Sequence, residues 1–77
     1  MKIEEKVLEI IRNFTEEVPN ETDADLIELG VMDSMMIMNL LTELEDEFDY
    51  VTEVGDISKQ NFKTVDSISS MIKKYVE

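Results

Sequence analysis

The chain has 77 residues, of which 43% are hydrophobic, and its formal net charge is −12. This length is near the lower limit for one apolar core, so we expect residues 1 to 77 to form a single domain. Cysteine and histidine are both absent, which excludes disulfides, thiol nucleophiles, thiolate or imidazole metal ligands and a serine–histidine pair. We therefore expect neither an enzyme nor a metal protein. The negative charge argues against nucleic acid and anionic membrane surfaces as partners, because both would repel the chain.

Residues 2 to 16 are predicted to form an amphipathic helix. Their apolar side chains have helical spacing, at Ile3, Val7, Ile10, Ile11 and Phe14. The N-terminal residues lack the apolar core of a signal peptide, and the longest unbroken apolar run is only Met35 to Met38. These features predict a cytoplasmic protein, and its size and charge favour a monomer.

A loop follows this first helix. Pro19 disfavours the helical conformation at the residue before it, and polar residues extend the break. Leu26 and Leu29 are predicted to anchor the loop to the core. Gly30 is expected to adopt a positive φ before the next helix.

The second predicted helix is capped by either Asp33 or Ser34 and ends near Phe48. Its core side chains are Ile37, Leu40, Leu41, Leu44 and Phe48. At about 100° per residue, a set of side chains points away from this core, while Met36 lies near the edge and its burial stays open. We call this set the outward face; it consists of Met35, Met38, Thr42, Glu45, Asp46 and Asp49.

The outward face suits transient docking. Flexible methionine side chains accept varied partners, and charged residues around an exposed apolar spot are typical of such sites. Residues 13 to 58 include fourteen acidic residues and no basic one. Such charge often serves only solubility. Because like charges also oppose compaction, their concentration here favours a surface for basic partners.

Residues 49 to 63 are predicted to form a loop with one short helical turn, from which Phe62 enters the core. Thr64 is predicted to cap a third helix. The apolar residues of that helix are Val65, Ile68, Met71, Ile72, Tyr75 and Val76. Three main helices without a strand pattern predict an all-α fold, a small antiparallel-type bundle.

Ser34 is the one chemically distinctive residue. Serine at a helix start commonly serves as an N-cap. The backbone N–H groups and the positive end of the helix dipole would, however, also stabilise a phosphate ester at this position. The position therefore suits phosphate attachment.

The stretch Leu-Gly-Val-Met-Asp-Ser-Met at residues 29 to 35, followed by Leu-Glu-Asp-Glu-Phe at 44 to 48, resembles the acyl and peptidyl carrier proteins. Residues 3 to 11 and 61 to 68 are similar to the first helix of that family and the approach to its last. The resemblance implies that a magnesium-dependent phosphopantetheinyl transferase moves 4′-phosphopantetheine from coenzyme A to Ser34, with Asp33 as the acidic neighbour of the motif.

The same resemblance implies a carrier that holds an acyl or aminoacyl group as a thioester on the thiol of this arm. An adenylating or acyl-loading enzyme and downstream acyl or aminoacyl transferases are the implied partners. The carrier would supply attachment and recognition, and the cofactor would supply the reactive thiol.

Departures from the fatty-acid carriers bear on the cargo. Gly30 precedes Ser34 by four residues rather than three, and Met36 and Asn39 stand where acidic residues are common in fatty-acid carriers. The apolar pair at 31 and 32 is more similar to D-alanyl and other stand-alone aminoacyl or specialised acyl carriers. The loop from 49 to 62 lacks the proline and tryptophan usual in D-alanyl carriers. The cargo therefore stays open among D-alanine, another amino acid and a specialised acyl chain.

The many carboxylates also suggest a calcium-binding helical protein. An EF-hand loop starting at Asp23 needs acidic residues at its third and fifth positions, glycine at the sixth and glutamate at the twelfth. Those positions hold Asp25, Ile27, Glu28 and Ser34, so only the first requirement is met. The remaining alternative is an unmodified acidic module that docks a basic partner through its second helix.

Overall fold

The computed structural model describes residues 2–77. It contains helices α1 (Ile3–Phe14), α2 (Ser34–Phe48) and α3 (Val65–Val76), with a 3₁₀ turn at Val54–Asp56 between α2 and α3. No strand occurs within residues 2–77, and the predicted all-α fold is confirmed. α1 packs against both other helices. None of the helices in this part of the chain has the length and apolar character needed to cross a membrane.

One continuous core joins the three helices. The predicted apolar faces are buried in their central parts and become exposed at Phe14 and Val76 near helix ends. Phe62 is fully buried, as predicted from its place in the loop before α3. The buried core residues are Val7, Ile10 and Ile11 of α1, Met36, Ile37, Leu40, Leu41 and Leu44 of α2, Val65, Ile68, Met71 and Ile72 of α3, and Val18, Leu26, Met32 and Phe62 of the loops.

α1 ends two residues earlier than the predicted boundary at residue 16. Thr15 has an extended backbone, with φ −154° and ψ 145°. Its hydroxyl accepts a hydrogen bond from the N–H of Glu17 at 3.2 Å. Threonine hydroxyls that bind nearby backbone groups in this way compete with helix continuation, and the chain leaves the helix here.

The loop between α1 and α2 is anchored at Leu26. Its N–H donates to the carbonyl of Lys63 at 2.7 Å, and its own carbonyl accepts from Val31 and Met32, each at 2.9 Å. The prediction that Leu29 also enters the core was wrong, because its side chain is 57% exposed. The tight turn closed by the Leu26 carbonyl carries Met32 into the core instead.

Gly30 has a φ of +79°, as the sequence predicted. Residues with a β-carbon rarely adopt this conformation, whereas glycine does so without strain. The chain can therefore reverse at Gly30 and enter α2 four residues later, at Ser34.

The approach to α3 is fixed by a capping box. The N–H of Ser67 donates to the Thr64 hydroxyl at 2.9 Å, and the N–H of Thr64 donates to the Ser67 hydroxyl at 3.1 Å. The predicted cap at Thr64 is confirmed. At the other end of α3, the Tyr75 hydroxyl accepts from the N–H of Glu53 at 3.0 Å and donates to the carboxylate of Asp56. The 3₁₀ turn is thereby tied to α3.

Candidate functional site

Asp33 defines where α2 begins. Its backbone is extended, and its side-chain Oδ1 accepts a hydrogen bond from the N–H of Met36 at 2.8 Å. Its carbonyl accepts the first bond of the helical ladder, from the N–H of Ile37 at 2.9 Å. Of the two capping residues considered from sequence, Asp33 is the N-cap. Ser34 is therefore the first residue of the helix, and its side chain is not needed for capping.

Ser34 is exposed at this helix start. Among residues 2–77, its hydroxyl has no hydrogen-bond partner, and the N–H groups of Ser34 and Met35 have none. Such N–H groups point out from the positive end of the helix and favour a negatively charged ligand. The residues at this position thus fit a phosphate ester on the Ser34 oxygen.

Two adjoining cavities, of about 300 and 270 Å³, meet at Ser34. Both are lined by Ser34, Ile37 and Lys59. The rest of the lining is Ile27, Gly30, Met32 and Asp33 in the first cavity and Met38, Ile57 and Ser58 in the second. A linear group attached to Ser34 therefore has a groove beside it, between the start of α2 and residues 57 to 59.

Lys59 was not singled out from the sequence. The available signal was its place in the chain: it is the first basic residue after Arg12 and directly follows the acidic segment. Because it lies in the loop before α3, helical periodicity could not place it beside Ser34.

Most of the predicted outward face is exposed. The side chain of Met35 is 73% exposed and that of Met38 is 59% exposed. Met36, which the sequence left open, is only 9% exposed and belongs to the core. The polar members that lie exposed on this face are Thr42, Asp46 and Asp49.

Glu45 requires a correction. It was expected to point freely outward, but the structure shows it half-buried, with its carboxylate accepting the N–H of Thr52 at 2.8 Å. The chain turns back at Asp49, which has a positive φ of 55°, and this reversal brings residue 52 alongside Glu45. Burial raises the pKa of the nearby Tyr50 hydroxyl, and the negative charge of Glu45 raises it further. Through its bond to Thr52, Glu45 therefore holds the start of the loop that follows α2.

No metal centre is visible among the described residues. Within residues 2–77, no three acidic side chains are grouped so that they could hold a metal ion.

Comparison with known proteins addresses the family directly. The family model described as a phosphopantetheine attachment site matches residues 5–72. A D-alanyl carrier protein of Streptococcus uberis is 32% identical over 75 residues, covering 96% of this chain and 95% of the relative. D-alanyl carrier proteins of Streptococcus sanguinis and Streptococcus mutans are each 38% identical over 69 residues, covering 88% of this chain and 87% of the relative. The chain belongs to the phosphopantetheine attachment site family of carrier proteins, whose cofactor is covalently bound 4′-phosphopantetheine.

Proposed function

We propose that residues 1 to 77 form a single carrier domain that bears 4′-phosphopantetheine on Ser34. The observation that carries this assignment is the exposed Ser34 hydroxyl at the first position of α2, which has no hydrogen-bond partner among residues 2–77. Its place within the matched residues 5–72 supports the same assignment.

The residues around Ser34 have distinct roles in this proposal. Asp33 fixes the first turn of α2 through its bond to Met36. The N–H groups of Ser34 and Met35 favour the negative charge of the phosphodiester. When bound, the cofactor supplies a thiol that holds an acyl or aminoacyl group as a thioester, and the protein supplies attachment and presentation.

We assign the cargo as an aminoacyl group, with D-alanine as the specific candidate. This assignment is supported by the D-alanyl carrier relatives, which align over nearly their whole length. Fatty-acid carriers commonly have acidic residues where this chain has Met36 and Asn39, and this difference also favours an aminoacyl cargo.

The exposed members of the outward face are assigned to partner docking: Met35, Met38, Thr42, Asp46 and Asp49. An apolar spot bordered by carboxylates is complementary to an enzyme with a basic rim and an apolar pocket. The proposed partners are a phosphopantetheinyl transferase, an adenylating enzyme that loads the cargo, and a downstream aminoacyl transferase. The chain itself catalyses none of these steps, and we place it in the cytoplasm, where coenzyme A and ATP are available.

Intact-mass measurement tests the attachment site. The protein is incubated with coenzyme A, magnesium and a broad-specificity phosphopantetheinyl transferase. We expect one phosphopantetheine to be added to the unaltered protein and to Ser70→Ala, which changes an exposed serine on α3. No addition is expected for Ser34→Ala. An unchanged mass of the unaltered protein would favour the unmodified interaction module instead.

The cargo is tested with the modified protein. It is incubated with ATP and a D-alanine-activating enzyme, with L-alanine and its own activating enzyme as the comparison. We expect D-alanine to be attached and released by hydroxylamine, which cleaves thioesters. Loading by L-alanine alone would overturn the D-alanine assignment and leave the attachment site intact.

A further inference from the structure

The loop before α3 holds Lys59 in a defined position. The hydroxyl of Ser58 accepts from the N–H of Asn61 at 3.2 Å, and the carbonyl of Ser58 accepts from the N–H of Phe62 at 3.2 Å. The side-chain amide of Asn61 donates to the carbonyl of Asp56 at 2.8 Å. Phe62 is fully buried. Hydrogen bonds and core packing therefore hold the turn in place on both sides of Lys59.

Lys59 borders the groove beside Ser34. It lines both cavities that Ser34 lines, although 25 positions of the chain separate the two residues. The groove runs between an apolar wall on α2 and the turn that carries Lys59. The Lys59 side chain is long and flexible. Its ammonium group can reach a group attached at the start of α2 while its methylenes cover apolar surface.

The ammonium group of Lys59 is available for an ion pair with a bound group. Lys6, Lys63, Lys73 and Lys74 form ion pairs, and within the part of the chain that the structure describes Lys59 forms none. In the neighbouring cavity, which Lys59 also lines, Asp25 is paired with Lys63 at 3.7 Å and Glu28 is the other acidic residue.

A negative phosphodiester on Ser34 would lie beside the Asp33 carboxylate, within a segment, residues 13 to 58, that has fourteen acidic residues and no basic one. The free N–H groups of α2 offset part of the repulsion. Lys59 is the lysine that shares the cavities of Ser34, so it is placed to offset more of it.

The geometry points to Lys59 as a positioning residue for the cofactor: its ammonium group pairs with the phosphodiester on Ser34 and directs the arm into the groove along Ile37 and Ile57. This inference rests on the proposed attachment at Ser34 and adds the residue that orients the attached group. Through Lys59, the loop before α3 would contact the group attached to Ser34.

The test compares the unmodified and modified forms of the unaltered protein and of Lys59→Gln, Lys59→Arg and Lys63→Gln, with loading verified by intact mass. Two quantities are measured: the change in melting temperature on modification and the ³¹P chemical shift of the phosphodiester. The change in melting temperature is the value after modification minus the value before it. At low salt we expect this difference to be roughly 1–5 °C lower for Lys59→Gln than for the unaltered protein. We also expect Lys59→Gln to shift the ³¹P resonance.

Lys59→Arg keeps the charge and should restore both quantities, whereas Lys63→Gln removes a lysine paired elsewhere and should match the unaltered protein. The effect of Lys59→Gln should largely disappear at about 1 M salt because exposed charges are then screened. Loaded Lys59→Gln with an unchanged melting difference and ³¹P shift would overturn the role of Lys59, even if the transferase acted on it slowly. Failure of the unaltered protein to accept any phosphopantetheine would overturn the attachment site as well.

Discussion

The carboxylate of Glu45 on α2 accepts a hydrogen bond from the backbone N–H of Thr52 at 2.8 Å. Thr52 is buried, and the bond joins the last turns of α2 to the beginning of the following loop. Asp46, the next residue along the helix, is exposed. Two adjacent acidic residues of the same helix thus differ in burial and bonding, so an experiment can separate stability from the proposed docking.

Glu45→Lys should lower the stability of the fold, whereas Asp46→Lys should leave it nearly unchanged. Loss of a hydrogen bond to a charged group, leaving a buried N–H unpaired, is expected to lower the free energy of unfolding of Glu45→Lys by about 1–3 kcal/mol. Asp46→Lys should stay within about 0.5 kcal/mol, because surface substitutions rarely change stability further. Both variants change the net charge equally, so the difference between their urea unfolding curves reports the Glu45 bond.

Asp46→Lys is instead expected to slow phosphopantetheinylation at low salt, because it reverses a charge on the proposed docking surface. The slowing should diminish as salt rises. Initial rates followed by intact mass at two salt concentrations measure this effect. Equal rates for Asp46→Lys and the unaltered protein at low salt would remove Asp46 from the docking surface.

The Asp33 cap gives a second prediction. Asp33→Ala removes the acceptor of the Met36 N–H and should cost about 1 kcal/mol of stability. For a domain of this size, that corresponds to a melting temperature lower by roughly 4–8 °C. Asp33→Asn keeps a capping oxygen and should retain most of the stability. Thermal unfolding followed by circular dichroism provides the measurement, and equal losses in the two variants would contradict the capping role.

Local sequence signals accounted for much of the fold. Helical spacing predicted the three helices, and the polar residues before α2 and α3 predicted their starts, because these depend on neighbouring residues alone. Leu29 and Glu45 were misplaced because their surroundings depend on how the chain reverses at Gly30 and Asp49. The position of Lys59 beside Ser34 depends on packing between distant segments, and no periodicity encodes it.

Met35 and Met36 provide a matched pair of variants. They are chemically identical neighbours at the start of α2, but Met35 is exposed and Met36 is buried in the core. Met36→Ala should lower the free energy of unfolding by about 2–3 kcal/mol, since it removes buried methylenes and leaves a cavity. Met35→Ala should change it by less than about 0.5 kcal/mol.

Recognition by partner enzymes should be affected in the reverse order. At 25 °C, provided that both variants are folded, Met35→Ala should impair it more than Met36→Ala. Met35→Ala is expected to reduce the rate of modification by the transferase, because it removes apolar contact area from the proposed docking surface. Calorimetry and initial rates distinguish the two effects. A large stability loss in Met35→Ala, or none in Met36→Ala, would contradict the placement of these side chains.

The last prediction concerns the ion pair between α1 and α3, in which Nζ of Lys73 lies 3.0 Å from Oε2 of Glu4. A hydrogen bond from the backbone and then one from Lys73 lower the pKa of Glu4, and the bond to Glu4 raises the pKa of Lys73. The carboxylate therefore stabilises the fold above its unfolded pKa, and this contribution is lost as pH falls through its lower folded pKa. The lysine contribution is present below its unfolded pKa and is lost as pH rises through its higher folded value.

A double-mutant cycle with Glu4→Gln, Lys73→Met and the double variant isolates this interaction from the general relief of repulsion that acid brings to a chain of charge −12. We expect a small favourable coupling near neutral pH that vanishes once the pH falls below the lowered folded pKa of Glu4. High salt should weaken the coupling at neutral pH, because both side chains are partly exposed. A coupling that persists unchanged through acid would show that the contact between α1 and α3 at this point does not depend on the charge of Glu4.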